Sequence, residues 1–125
     1  MSHLRTCKTN IKQLNEDVAL EAMKALASKV GGEVVNVVKD YYGNAVKVIA
    51  GIKAPGIRGF GIVATGNEVK VVGDDYGCKI KLQEFAGLFH QTYTAIAIKK
   101  SLTKLGYSVS TKEDTKTVYV YGVKV

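Results

Sequence analysis

The octamer Arg58–Thr65, RGFGIVAT, contains the first residues whose types and spacing could do chemistry. A basic residue, Gly, an aromatic, Gly and then an aliphatic follow the order of the RNP1 signature, in which rings on a strand stack on unpaired bases. Phe60 supplies the ring at the third position, but the later stacking positions hold Ile62 and Thr65, which offer no π-face. The companion motif on the first strand needs an aromatic, and HLRTCKTNI has none. A phosphate-holding glycine loop must follow a strand and open a helix. GIRGFG opens a strand instead, lacks the G-x-G-x-x-G order and has no Walker lysine. Gly56, Gly59 and Gly61 are therefore read as a bend or bulge where the chain enters a sheet, with Phe60 packed on one face.

Metal and nucleophile chemistry find little to work with. His3, His90, Cys7 and Cys78 are the only thiols and imidazoles. Their spacing fits no zinc finger, no C-x-x-C pair exists, and no Cys–His pair is indicated. The acids near predicted turns are Asp40, Glu68, Asp74 and Asp75. Adjacent aspartates in VVGDDYG read as a solvated turn rather than an acid–base pair. No set of nucleophile, base and orienting group assembles, so no metal, cofactor or catalytic residue is expected.

Two other groups of residues could carry recognition. On the second predicted helix, Leu88, Ala95, Ile98, Leu102 and Leu105 line one face at 100° per residue. Phe85, Phe89, Tyr93 and Ile96 line another, roughly 130° away. A surface helix over a sheet needs one apolar stripe. The second stripe is either a broad core contact or the face that meets a second subunit. The last strand, TVYVYGVKV, alternates Val118 and Val120 with Tyr119 and Tyr121. One face must be core, and the tyrosines on the other could stack bases or cover a partner.

The elements that must position these residues follow from periodicity. Ser2–Ile11 reads as a strand. Asn15 is a good N-cap, with Glu16 and Asp17 in the first turn, and Ala19, Ala22, Met23, Leu26 and Val30 repeat at helical spacing up to Gly31-Gly32. Val34–Tyr42 and Ala45–Ile52 form a hairpin around Gly43-Asn44, and Gly59–Ala64 and Glu68–Val72 another around Gly66-Asn67. A second helix spans about Leu82 to Leu105, with Gly106 beyond it. A last hairpin, Tyr107–Ser110 with Thr117–Gly122, turns over TKEDTK. The order β-α-ββ-ββ-α-ββ predicts one α+β domain over 1–125, a two-layer sandwich with a mainly antiparallel sheet and both helices on one face.

Bulk properties agree with that domain and limit its partners. A chain of 125 residues, 46% hydrophobic and 23% charged, can build a core without disulfides. The net charge is +7, shared by the two halves as +4 and +3, which favours an anionic partner such as nucleic acid. The N-terminal MSHLRTCKTN lacks a signal-peptide apolar region. The longest uncharged stretch, Phe85–Ile98, has 14 residues and is too short to span a bilayer. These features predict a cytosolic protein without a membrane partner.

Several short motifs resemble the small cyanobacterial and plastid family named hypothetical chloroplast reading frame thirty-five. They are the opening MSHLRTCKTNI, the Gly59-Phe60 pair, Asp75-Tyr76-Gly77, and Gln91 with Tyr93. The chain differs in having no Trp, in Leu4, and in its long last hairpin. The resemblance implies packing rather than redox chemistry for Cys7, and it implies no activity, because the family is a domain of unknown function. The expectation from the sequence is thus a non-catalytic protein acting by association, as a homo-oligomer through Phe85, Phe89, Tyr93 and Ile96. The alternative is nucleic-acid binding through Lys53, Arg58, Tyr119 and Tyr121.

Overall fold

The structure is a computed structural model. It describes the backbone of residues 4–113 and 118–124 and the side chains of residues 4–109. Its elements run β1 (Arg5–Lys8), α1 (Glu16–Val30), β2 (Glu33–Lys39), β3 (Ala45–Ala54), β4 (Ile57–Thr65), β5 (Glu68–Gly73), α2 (Leu82–Lys104), β6 (Tyr107–Glu113) and β7 (Val118–Lys124). Strands β1 to β5 form one antiparallel sheet in the order β1-β5-β4-β3-β2, and β6-β7 form a separate hairpin. The fold is α+β, as the periodicity predicts.

Local chemistry sets the boundaries. The Asn15 side chain accepts the N–H of Val18 at 3.1 Å, starting α1 as a cap should. At the other end Gly31 takes φ 70°, and the N–H of Gly32 reaches the carbonyl of Ala27 at 2.8 Å, which is a Schellman closure. The first strand is shorter than expected. Thr9 stops it by donating its hydroxyl to Val69 O and accepting the N–H of Ile11, which turns the chain away. Gly66-Asn67 is a two-residue link between the paired Thr65 and Glu68, but the first hairpin differs from expectation. Its strands are joined by the five residues 40–44, because the Asp40 carboxylate gathers the loop's N–H groups into a wider turn.

The sheet bends over itself. The β2–β3 pairing is irregular between Val35 and Val37, and the hairpin's outer half swings across the face away from the helices, bringing β2 against β4 and β5. Val38, Val48 and Val72 form a small second core there. Glycine makes the approach possible, since a Cβ on Gly61 would lie 2.5 Å from Val48 Cγ1. The glycines of RGFGIVAT thus serve close packing within a sheet. Phe60 is fully buried on the opposite face, its ring 5.0 Å from that of Phe85, and has no face to offer a base.

The main core lies between the sheet and the two helices, and it takes in the aromatic stripe of α2. Phe85, Phe89 and Tyr93 are 2%, 0% and 8% exposed, and Ile96 packs against the same cluster. Tyr93 also accepts the N–H of Asn15 at 2.9 Å, so even its hydroxyl is spent inside the molecule. Phe85, Phe89 and Tyr93 are thus core of the chain itself, and Ile96 is half-buried at its edge. α2 does not divide cleanly by stripe, since Leu88 of the second stripe packs against the same core while Ile98 and Leu105 are exposed. Its aromatic stripe faces the five-stranded sheet and α1, while its C-terminal part meets the β6–β7 hairpin, where Leu102 Cδ1 lies 2.9 Å from a Cβ built on Gly122.

Candidate binding surface at the Asp40 and Asp74 loops

The bend brings together two loops that are far apart in sequence, residues 40–44 after β2 and residues 74–81 after β5. Both contain an Asp followed by tyrosine and glycine, DYYG and DDYG. Asp74 is the joint between them and is only 1% exposed. Its Oδ2 accepts the N–H of Tyr41 at 3.0 Å, its Oδ1 accepts the N–H of Tyr76 at 3.1 Å, and Arg58 Nη1 forms an ion pair at 3.3 Å. Arg58 also donates to the carbonyl of Tyr76 at 3.1 Å. The turn expected to be solvated is therefore built on a buried carboxylate, bonded to donors from both loops and from β4.

Asp40 holds its own loop. Oδ1 accepts the N–H groups of Tyr42 and Asn44, each at 2.9 Å, and Oδ2 accepts the Asn44 amide at 2.7 Å. These donors, the Asn44 side chain first, hold the carboxyl below its usual range, against the opposing effects of burial and, last, the nearby charge of Asp74. Asp75 serves α2, accepting the N–H of Leu82 at 2.8 Å where the N-cap residue Lys81 provides no side-chain cap.

All this polar work points inward, and the rings point out. Tyr41, Tyr42 and Tyr76 are 66%, 73% and 58% exposed. Tyr41 and Tyr42 stand edge to face, centroids 5.3 Å apart, and the Arg58 guanidinium lies 5.4 Å from the Tyr41 ring centroid. Arg58 also lines a groove of about 280 Å³ beside β2, together with Lys39, Lys53, Asn36 and Glu33. Cation and aromatic surface are therefore continuous through one residue.

Two of the residues proposed from sequence, Lys53 and Arg58, are thus brought together. Arg58, however, is held by Asp74 and is not a free cation. Tyr119 and Tyr121 belong to β7 of the two-stranded sheet, not to the sheet that carries Lys53 and Arg58, and their side chains lie outside the described residues. The sequence offered Tyr76 only within the Asp75-Tyr76-Gly77 motif and gave no role to Tyr41 or Tyr42, although the repeated Asp-aromatic-Gly pattern is a usable signal for exposed rings on constrained turns.

Other chemistry is sparse. Among the described residues no three His, Cys, Asp or Glu side chains converge on a metal position. Cys7 packs against the main core, Cys78 lies in the second loop with its thiol toward Asp74 O at 3.6 Å, and His90 sits within α2. His3 lies outside the described residues. No helix among them is long and apolar enough to cross a membrane. Compared with family models, with curated proteins and with solved structures, the chain matches none.

Proposed function

We propose that this protein works by binding rather than by catalysis, and that the end bearing Tyr41, Tyr42 and Tyr76 is the surface it presents. The observation that carries this reading is a contrast within the site. Two largely buried carboxylates and an arginine are used to hold short loops, and what those loops display is three rings in water. Tyrosine on a fixed backbone is a recognition residue, because it offers a large amphipathic face at a low entropic cost. The carboxylates themselves are unsuited to proton transfer, since Asp40 and Asp74 accept several internal donors each. Self-association through α2 loses its ground, because the aromatic stripe that suggested it is buried. The likeness to the reading-frame-thirty-five family adds no activity, but three of its residues, Asp75, Tyr76 and Gly77, lie in this surface.

Site-specific photo-crosslinking tests the reading. A photoreactive residue at Tyr42 should give discrete adducts in living cells, while one at Lys24 on the exposed side of α1 should give none above background. Equal labelling from both positions would remove the surface from consideration.

A further inference from the structure

We infer that the ligand of this surface is single-stranded nucleic acid, an inference that rests on the binding reading above and names its partner. Proteins that hold single strands combine a cationic groove following the backbone with rings on which unpaired bases stack. Both components are present and adjoin. The groove beside β2 is lined by Lys39 and Lys53, both exposed and engaged in no ion pair among the described residues, and it leads to Arg58. Arg58 in turn lies against the Tyr41 ring and donates to the Tyr76 carbonyl, so a strand leaving the groove meets the Tyr41 ring next, with the Tyr42 ring edge to face beside it.

The charges support an anion. Of the acids near the surface, Asp40 and Asp74 are buried and internally bonded, and Asp75 caps α2. Glu33 remains in the groove, paired in register with Lys53. The whole chain carries +7, so the long-range field also draws a polyanion. A protein partner would meet a different surface. Protein hot spots are packed, desolvated patches, whereas these rings are exposed beside a groove that carries Lys39 and Lys53, with Val35 and Val37 the aliphatic part of its lining. Duplex fits poorly, because its base faces are covered by stacking and cannot lie on a ring.

The test is fluorescence anisotropy with a labelled oligothymidylate, a labelled oligouridylate and a matched duplex, at two or more salt concentrations. The variants are Tyr41→Ser/Tyr42→Ser and Lys39→Gln/Lys53→Gln, each checked for an unchanged melting curve. Single strands should bind at least about tenfold more tightly than duplex, and the tyrosine variant should lose roughly fivefold or more in single-strand affinity only. The lysine variant should lower the slope of log affinity against log salt by about 1.4 for single strands. Equal binding of single and double strands, or a tyrosine variant that binds like the parent, overturns the inference. If the oligonucleotides fail while Tyr42 still crosslinks specifically to protein, the ligand assignment is wrong and the binding surface stands. If both fail, the surface itself is wrong.

Discussion

Phe85, Phe89 and Tyr93 on α2 and Tyr41, Tyr42 and Tyr76 in the loops are the same class of side chain with opposite fates. The first three are at most 8% exposed and the second three at least 58%. The helix rings fall on one stripe of an element laid across a sheet, where burial removes each ring from water at no cost in backbone hydrogen bonds. The loop rings sit on turns whose backbone N–H groups are committed to Asp40 and Asp74. A turn held in that way can tilt its side chains outward and has no opposing layer to bury them. Aromatic residues therefore mark the core or the binding surface of this protein according to what satisfies the backbone beneath them.

The contrast can be tested directly by substitution. Phe89→Ala should produce the largest change, a loss of about 3–5 kcal/mol in unfolding free energy, because it empties a fully buried site. Chemical denaturation measures it, and a loss under 1 kcal/mol would mean that the ring is not core. Asp74→Ala should follow, at about 2–3 kcal/mol, since it strands the N–H groups of Tyr41 and Tyr76 and leaves Arg58 without its partner. Proteolysis should then cut first in the loops at 40–44 and 74–78, with α2 still protected.

Asp40 adds a pH dependence. Its folded-state pKa lies below the unfolded value, so the unfolded chain takes up the proton first on acidification. Its contribution is thus present above the ordinary carboxylate range and is lost as pH falls through the lower, folded value. Melting temperature against pH should fall less steeply in that acid limb for Asp40→Asn than for the parent chain. An identical acid limb would remove Asp40 from the frame. The smallest effect is expected at the rings themselves. Tyr41→Ser/Tyr42→Ser should change stability by no more than about 0.5 kcal/mol per site, as exposed positions do, so that any effect on binding is separable from folding.

Much of the architecture was legible because it is written locally. Asn15, Gly31 and Gly106 bound helices through capping and positive φ, which depend only on neighbours in sequence. The alternation in β4 and β5 and the Gly66-Asn67 link likewise identify a hairpin before any partner is known. The two stripes of α2 were also visible, but not what each would meet. That waited on the packing, which buries the aromatic stripe against the sheet and α1, sets the terminal hairpin against the helix's C-terminal part and leaves Ile98 and Leu105 exposed. The binding surface was less legible still. DDYG reads as a solvated turn until β2 bends across the sheet and delivers the Tyr41 N–H to Asp74, 33 positions away in sequence.

The amino-acid sequence by itself thus determined the order of elements, their caps and turns, and which residues were apolar enough to need burial. Only the tertiary structure decided that the α2 rings are core, that Asp74 is buried, and that the loops of Tyr41, Tyr42 and Tyr76 meet at Arg58. The physical reason is range. Capping and periodicity act over a few residues, whereas burial and ion pairing depend on which distant surfaces the bend of the sheet brings into contact.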